Sequence, residues 1–296
     1  MAAMMKLFDA HCHLQDPRIF IKAPKLLETA IDSGVVRFAV NGVSEKDWGV
    51  VKQMGETYPS VTPCFGLHPW YVGERSSEWL TTLKQYLNNT PSAAVGEIGL
   101  DKGTHGRTVD FTDQVEAFRS QLKLAKEVKR PASIHCVRAF GDLLPILKEM
   151  GPFPAGIILH SYLGSAEMVP EFAKLGAYFS FSGYLMFMKE QKAKKMLKTV
   201  PLERILMESD APDALPKSDL TSMFLIEGDD SITEALEKQR QGTISVGADK
   251  LPLPKEMLNH PANIHTVLDY VANLLGMPKE ELGELSYSNA IRVFTY

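Results

Sequence analysis

The chain has 296 residues, 45% hydrophobic and 23% charged, with a formal net charge of −4. That is enough chain to bury a substantial core without disulfides or a structural metal, and it excludes a protein that holds nucleic acid through bulk positive charge alone. Its three cysteines, Cys12, Cys64 and Cys136, fit no zinc-finger or disulfide spacing and read as free thiols in a reducing compartment.

Short apolar runs alternate with amphipathic segments along most of the chain. In order, the strand-like runs are KLFDAHCH (6–13), VRFAVNGV (36–43), VTPCFGLH (61–68), AAVGEIGL (93–100), PASIHCV (131–137), AGIILHSY (155–162), AYFSFSG (177–183) and RILMESD (204–210). Between them, apolar residues recur at helical spacing. Leu26, Leu27, Ala30 and Ile31 share one face; Trp79, Leu80, Leu83, Tyr86 and Leu87 share another; Phe111, Val115, Phe118, Leu122 and Ala125 a third. A last helical stretch starts near Pro261. Eight strand-then-helix units predict a parallel sheet, and eight strands can close on themselves. The expected fold is therefore an α/β (β/α)8 TIM barrel, one domain over 1–296. An open doubly wound sheet is disfavoured, because the first strand ends in HCHLQD and not in a glycine-rich phosphate loop. The mixed segment 213–259, after strand eight, breaks the rhythm and reads as an insertion or a lid.

Barrels of this kind place their chemistry at the C-terminal ends of the strands. Six of the eight runs end in a metal ligand or acid–base group: His11 and His13, His68, Glu97, His135, His160 and Asp210. Five of the eight histidines lie there; His105, His260 and His265 do not. Residues i and i+2 of a strand share a face, so His11 and His13 are expected to point into the mouth with Asp9 below them, and Cys12 away from it. Six ligands (His11, His13, Glu97, His135, His160 and Asp210) exceed what one zinc takes and suit two divalent ions. Glu97 can bridge such ions and Asp210 can hold the attacking water. Two ions about 4 Å apart stabilise a phosphoryl transfer and lower the pKa of water towards about 7. Arg138, Trp70 and Tyr71 follow strands five and three, where an aromatic pair could stack a terminal base or pack a loop. The basic run KEQKAKKMLK (189–198) reads as a solvated helix face.

The runs FDAHCHL, FGLHPW, VGEIGLD, ILHSYLGS and LMESDAP resemble, in order, the serial motifs of the TatD family of metal-dependent deoxyribonucleases, within the amidohydrolase superfamily. The tail LSYSNAIRVF resembles the family's closing motif, with Asn289, Arg292 and Phe294 in place. The resemblance implies a TIM-type barrel with a binuclear divalent site that hydrolyses phosphodiesters, typically at DNA ends. It implies that His11, His13 and Asp210 hold one ion, that His135 and His160 hold the other, and that Glu97 bridges. Asp210 would also act as general base, with Glu97 and His68 completing the catalytic set. His68 would sit in the substrate pocket with Arg138, Trp70 and Tyr71, and Asp9 and Glu208 would support the ligands from behind. Three places depart from the pattern. Val137 stands where the family has arginine, with Arg138 one later; residues 160–164 read HSYLG for HCFSG; residues 258–261 read LNHP for RNEP.

The expectation is thus a hydrolase of DNA phosphodiesters, an exonuclease or deoxyribonuclease, using two ions of Mg, Mn or Zn. The alternatives are a superfamily hydrolase of a small phosphate ester or of C–N or ester bonds, and a degenerate barrel kept for binding. No lysine falls at these strand ends to be carboxylated as a bridge, and no ligand is missing. No membrane span and no signal peptide are read in the sequence. A cytoplasmic monomer without a stable protein partner is expected, with the nucleus as a second compartment.

Overall fold

The computed structural model describes residues 5–224, 226 and 257–295. Eight strands, β1 Leu7–Cys12, β2 Val35–Asn41, β3 Val61–Phe65, β4 Ala94–Asp101, β5 Ala132–Val137, β6 Ile157–Leu159, β7 Ala177–Phe181 and β8 Ile205–Met207, pair in parallel in chain order. Helices α1 Ala23–Asp32, α2 Trp48–Thr57, α3 Trp79–Asn89, α4 Phe111–Val128, α5 Phe140–Met150, α6 Val169–Lys174 and α7 Glu190–Leu197 connect them. The seam between β8 and β1 is drawn together just past the strand ends. Asp210 N–H donates to the His11 carbonyl (2.9 Å), and His13 N–H donates to the Ala211 carbonyl (2.7 Å). The result is an eight-stranded, nearly closed barrel alternating with helices. Among the described residues, no helix is long and apolar enough to cross a membrane.

Local chemistry accounts for the elements. In β7, Ala177, Phe179 and Phe181 pack outward against the helices while Tyr178 faces the lumen, the period of two that a barrel wall requires. Helix α4 starts where the Asp110 carboxylate accepts the N–H groups of Thr112 (2.8 Å) and Asp113 (3.2 Å). The basic run falls on α7, whose inner face is Ala193, Met196 and Leu197.

The lower lumen is filled by Phe8, Ala10, Ala39, Cys64, Ala94, Ile158, Tyr178 and Leu206. Two C-terminal helices follow, α8 Ile264–Leu275 and α9 Lys279–Phe294. The helical stretch read near Pro261 corresponds to α8; α9, which carries the closing motif, is a second helix. It plugs the floor with Ala290, Val293 and Phe294, and the Phe294 ring stacks on Phe8 at 5.0 Å. Apolar side chains thus occupy the bottom of the lumen and leave the top to polar ones. The sequence expectation for 213–259 falls mostly on residue 225 and residues 227–256, which lie outside the described residues.

Candidate metal centre at the barrel mouth

Two bulges aim the key side chains. Between Asp9 and Cys12 the first strand spends three steps while its partner spends two, Phe38 to Val40. Between Val95 and Ile98 the fourth strand does the same against Ala132 to Ile134. An extra residue of this kind bends a strand and redirects its side chains. Here it brings His11 and Glu97 to the lumen while Cys12, Val95 and Ile98 stay in the outer core. The second bulge needs glycine. A Cβ on Gly96 would lie 2.8 Å from the Cys64 carbonyl carbon, so β3 and β4 meet backbone to backbone.

Glu97, 3% exposed, is the hub. Its Oε2 lies 3.3 Å from His13 Nε2 and 3.6 Å from His11 Nε2. Its Oε1 lies 2.9 Å from His160 Nε2, 3.0 Å from His135 Nδ1 and 3.3 Å from His68 Nε2. Each carboxylate oxygen therefore faces its own set of imidazoles. Asp210 completes the first set, with Oδ1 3.7 Å from His13 Nε2 and 3.8 Å from His11 Nε2. It does so from a left-handed backbone (φ 52), a conformation that aspartate tolerates better than most residues.

The second nitrogen of most rings is already committed. His13 Nδ1 donates to the Asn41 carbonyl at 2.8 Å, and His11 Nδ1 meets Ser133 Oγ at 2.9 Å. Their Nε2 atoms face each other at 3.2 Å. His135 Nε2 is held by Asp101 Oδ2 at 3.0 Å, leaving Nδ1 towards Glu97. His160 Nδ1 faces Glu208 Oε1 at 3.5 Å, too far for a good hydrogen bond. Glu208 is itself fixed by Ser161 (N–H 2.7 Å, Oγ 2.6 Å) and Ser180 Oγ. Strand ends two and seven, which the sequence reading set aside, thus supply Asn41 and Ser180. Asp9 does not sit under the two imidazoles; it accepts the Ser209 N–H (2.8 Å) and hydroxyl across the seam.

His68 differs from the other four. Its Nδ1 accepts the Trp70 N–H (3.1 Å), so its proton sits on Nε2, the atom facing Glu97. Burial pushes its pKa down to about 4, which keeps the ring neutral. Burial likewise pushes His11 down to about 3. At His13 and His160 burial works the same way, but Glu97 outweighs it, and His13 rises to about 9. Burial would raise Glu97; the surrounding imidazoles, His68 and His160 foremost, hold it well below the usual carboxylate range. Burial pushes Asp210 up to about 7, against the pull of His160 and His13 and with the push of Glu208 and Glu97.

The donor set fits divalent cations. Imidazole nitrogens and carboxylate oxygens converge on common points, and partners behind most rings fix their orientation, as metal sites require. Three groupings bring their ligand atoms within 4.8 Å of one another: His11, His13 and Asp210; His11, Glu97 and His160; His68, Glu97 and His135. Asp101 and Ser133 were not singled out from sequence. The only signal for Asp101 was its place at the end of GEIGLD.

A family model described as TatD related DNase matches residues 8–295. The chain belongs to the TatD-related DNase family. It is 30% identical over 288 residues to an uncharacterized metal-dependent hydrolase, YabD, of Bacillus subtilis, covering 97% of this chain and 98% of that one. It is 25% identical over 293 residues to the 3'-5' ssDNA/RNA exonuclease TatD of Pantoea vagans, covering 97% and 99%. The crystal structure of YjjV, a TatD homolog of Escherichia coli, superposes with a TM-score of 0.80 at 24% identity over 99% of this chain and 100% of that one. The chain is thus an enzyme of the TatD family, built on the TatD barrel.

Around this TatD centre the rim is aromatic. Trp70, 38% exposed, donates its indole N–H to Asp101 Oδ2 at 2.6 Å and packs edge-on against His68 and His105, each at 4.8 Å. Tyr71 lies 6.2 Å from His68, ring to ring. Arg138 follows β5 in a left-handed turn (φ 55), is exposed, and makes no hydrogen bond or ion pair among the described residues. The other departures from the family pattern have structural work. Tyr162 is buried and donates to the Ser165 carbonyl (3.0 Å). His260 Nδ1 accepts the Ala262 N–H (2.9 Å), next to the shared Asn259, which donates to the Ser209 carbonyl (2.8 Å).

Proposed function

We propose that this TatD-family hydrolase is metal-dependent, holds two divalent ions at the barrel mouth and hydrolyses phosphodiester bonds of DNA, trimming ends. One observation carries the two-ion reading: the two oxygens of Glu97 face separate sets of imidazole nitrogens, as a bridging carboxylate would. His11, His13 and Asp210 would hold one ion and His135 and His160 the other. Bound there, Mg, Mn or Zn would polarise a phosphoryl oxygen and lower the pKa of water. The names of the B. subtilis and P. vagans relatives support the metal and the nucleic-acid substrate.

The chain's own groups divide the remaining work. Asp210, its Oδ1 beside the Nε2 atoms of His11 and His13, would orient the attacking water and take its proton. His68 presents an N–H from Nε2 and would donate it to a phosphoryl or leaving oxygen. Trp70 and Tyr71 would stack a terminal base, and Arg138 offers an uncommitted guanidinium for a phosphate. Asp101, Asp9 and Glu208 would act from behind. The whole chain is read as one barrel domain: Arg18, bound to Asp16, also pairs with Asp213 (2.9 Å), and Asn259 holds Ser209, so both described ends of the 213–259 segment are pinned at the mouth.

The test takes chelator-stripped protein, restores Mg²⁺ or Mn²⁺, and follows single- and double-stranded oligonucleotides. Stepwise shortening is expected, with Asp210→Asn reducing it by about 100-fold or more. Equal shortening by the variant would remove Asp210 from its role. No shortening, with cleavage of a small phosphate ester or an amide instead, would replace the DNA reading by that one.

A further inference from the structure

Opposite the mouth, at the N-terminal ends of β6, β7 and β8, lies a cavity of about 460 Å³. Pockets that hold small ligands run from about 300 to 1,000 Å³. Its walls are the loop Pro152–Gly156, the turn Lys174–Gly176, Tyr178, Arg204, and Arg292 with Val293 from α9. Among the described residues, three cations line it and no carboxylate does. Lys174 is already paired with Glu171 at 3.0 Å. Arg204 is fixed in the wall, 4.7 Å over the Tyr178 ring and 3.3 Å from the Gly176 carbonyl. Arg292 is exposed and has no hydrogen bond or ion pair among the described residues.

The closing motif sharpens the point. Asn289 ties α9 to the barrel by donating to the carbonyls of Leu202 (2.8 Å) and Ile205 (3.0 Å). Phe294 stacks on Phe8. Both residues build the floor. Arg292, between them in sequence, builds nothing, and lines the cavity instead.

We propose that this cavity is a second ligand site, distinct from the metal centre, that binds a phosphate group through Arg292 and Arg204, with Phe153, Pro154 and Val293 offering an apolar wall to an organic ester. Two guanidiniums with no carboxylate among the lining residues suit a dianion, because the fork of arginine matches phosphate oxygens. Low-dielectric walls strengthen that field. The reading stands whether or not the mouth cleaves DNA.

The test is calorimetric titration of the full chain, held in EDTA so that the mouth carries no ions, with dAMP, deoxyadenosine and inorganic phosphate. Saturable dAMP binding at one site per chain is expected, about tenfold or more tighter than deoxyadenosine. Arg292→Gln, at an exposed position, should weaken it by a similar factor with an unchanged melting temperature, and Asp210→Asn should leave it alone. Inorganic phosphate binding as well as dAMP would name free phosphate as the ligand; weaker binding would name the ester. The proposal is overturned if neither phosphate compound binds, if deoxyadenosine binds equally, if Arg292→Gln has no effect, or if Asp210→Asn abolishes the signal.

Discussion

Among single side chains, the division of labour at the mouth turns on where each imidazole keeps its proton. His135 gives its Nε2 to Asp101, and His68 gives its Nδ1 to a backbone N–H. The first turns its Nδ1 towards Glu97, where a bound ion would replace the proton, and the second keeps an N–H there. Opposite effects of mutation follow. Asp101→Asn should weaken metal binding or activity by about 10–100-fold, as losses behind metal ligands do, read by metal titration on protein that still folds. His68→Asn should leave metal content unchanged while kcat falls by about 100-fold or more. A drop in metal content in His68→Asn would make that ring a ligand after all. The sequence carried the placement of His11, His13, Glu97, His135, His160 and Asp210 because each is a titratable group ending an apolar run. It did not carry Ser133, which looks like any small polar residue inside a strand, nor the Asn41 contact, which is made by a backbone carbonyl.

At the scale of elements, the eight strands were legible because each is a compact apolar run, and their order followed from alternation with helices. The bulges in β1 and β4 were not legible. Strict alternation would place Asp9 under His11; only the pairing with the neighbouring strand shows the extra residue that turns Asp9 to the seam. The separate helix α9 was also missed, since its stretch reads mainly as a motif. The β4 bulge has a measurable requirement. Gly96→Ala places a methyl 2.8 Å from backbone of β3, tighter than a packed wall absorbs without shifting. A loss of about 1–3 kcal/mol is expected, measured by urea unfolding, together with weaker metal binding because Glu97 is the next residue. Full stability in the variant would show that the two strands part freely.

For the whole molecule, the mouth ties distant parts of the chain together, so its ions should act on global stability. A ligand bound only by the folded state stabilises by RT ln(1 + [L]/Kd), about 2.7 kcal/mol at a hundredfold excess over Kd. The melting temperature of stripped protein should therefore rise on adding Mn²⁺ or Zn²⁺, and the rise should vanish in His135→Ala. Ligand nitrogens must be free of protons to bind. Metal uptake should accordingly weaken as pH falls, with protons released on loading; a pH-independent affinity would place the ions elsewhere.

The stack of Phe294 on Phe8 has a consequence for how the protein is made. A ribosome delivers Phe8 long before Phe294. Through that interval the first strand has neither its neighbour β8 nor its floor, and its apolar face stays open. Contacts so distant in sequence are slow to form, so the nascent barrel is exposed to aggregation until α9 has docked. Newly made chains should accordingly lean on holding chaperones far more than the finished enzyme does.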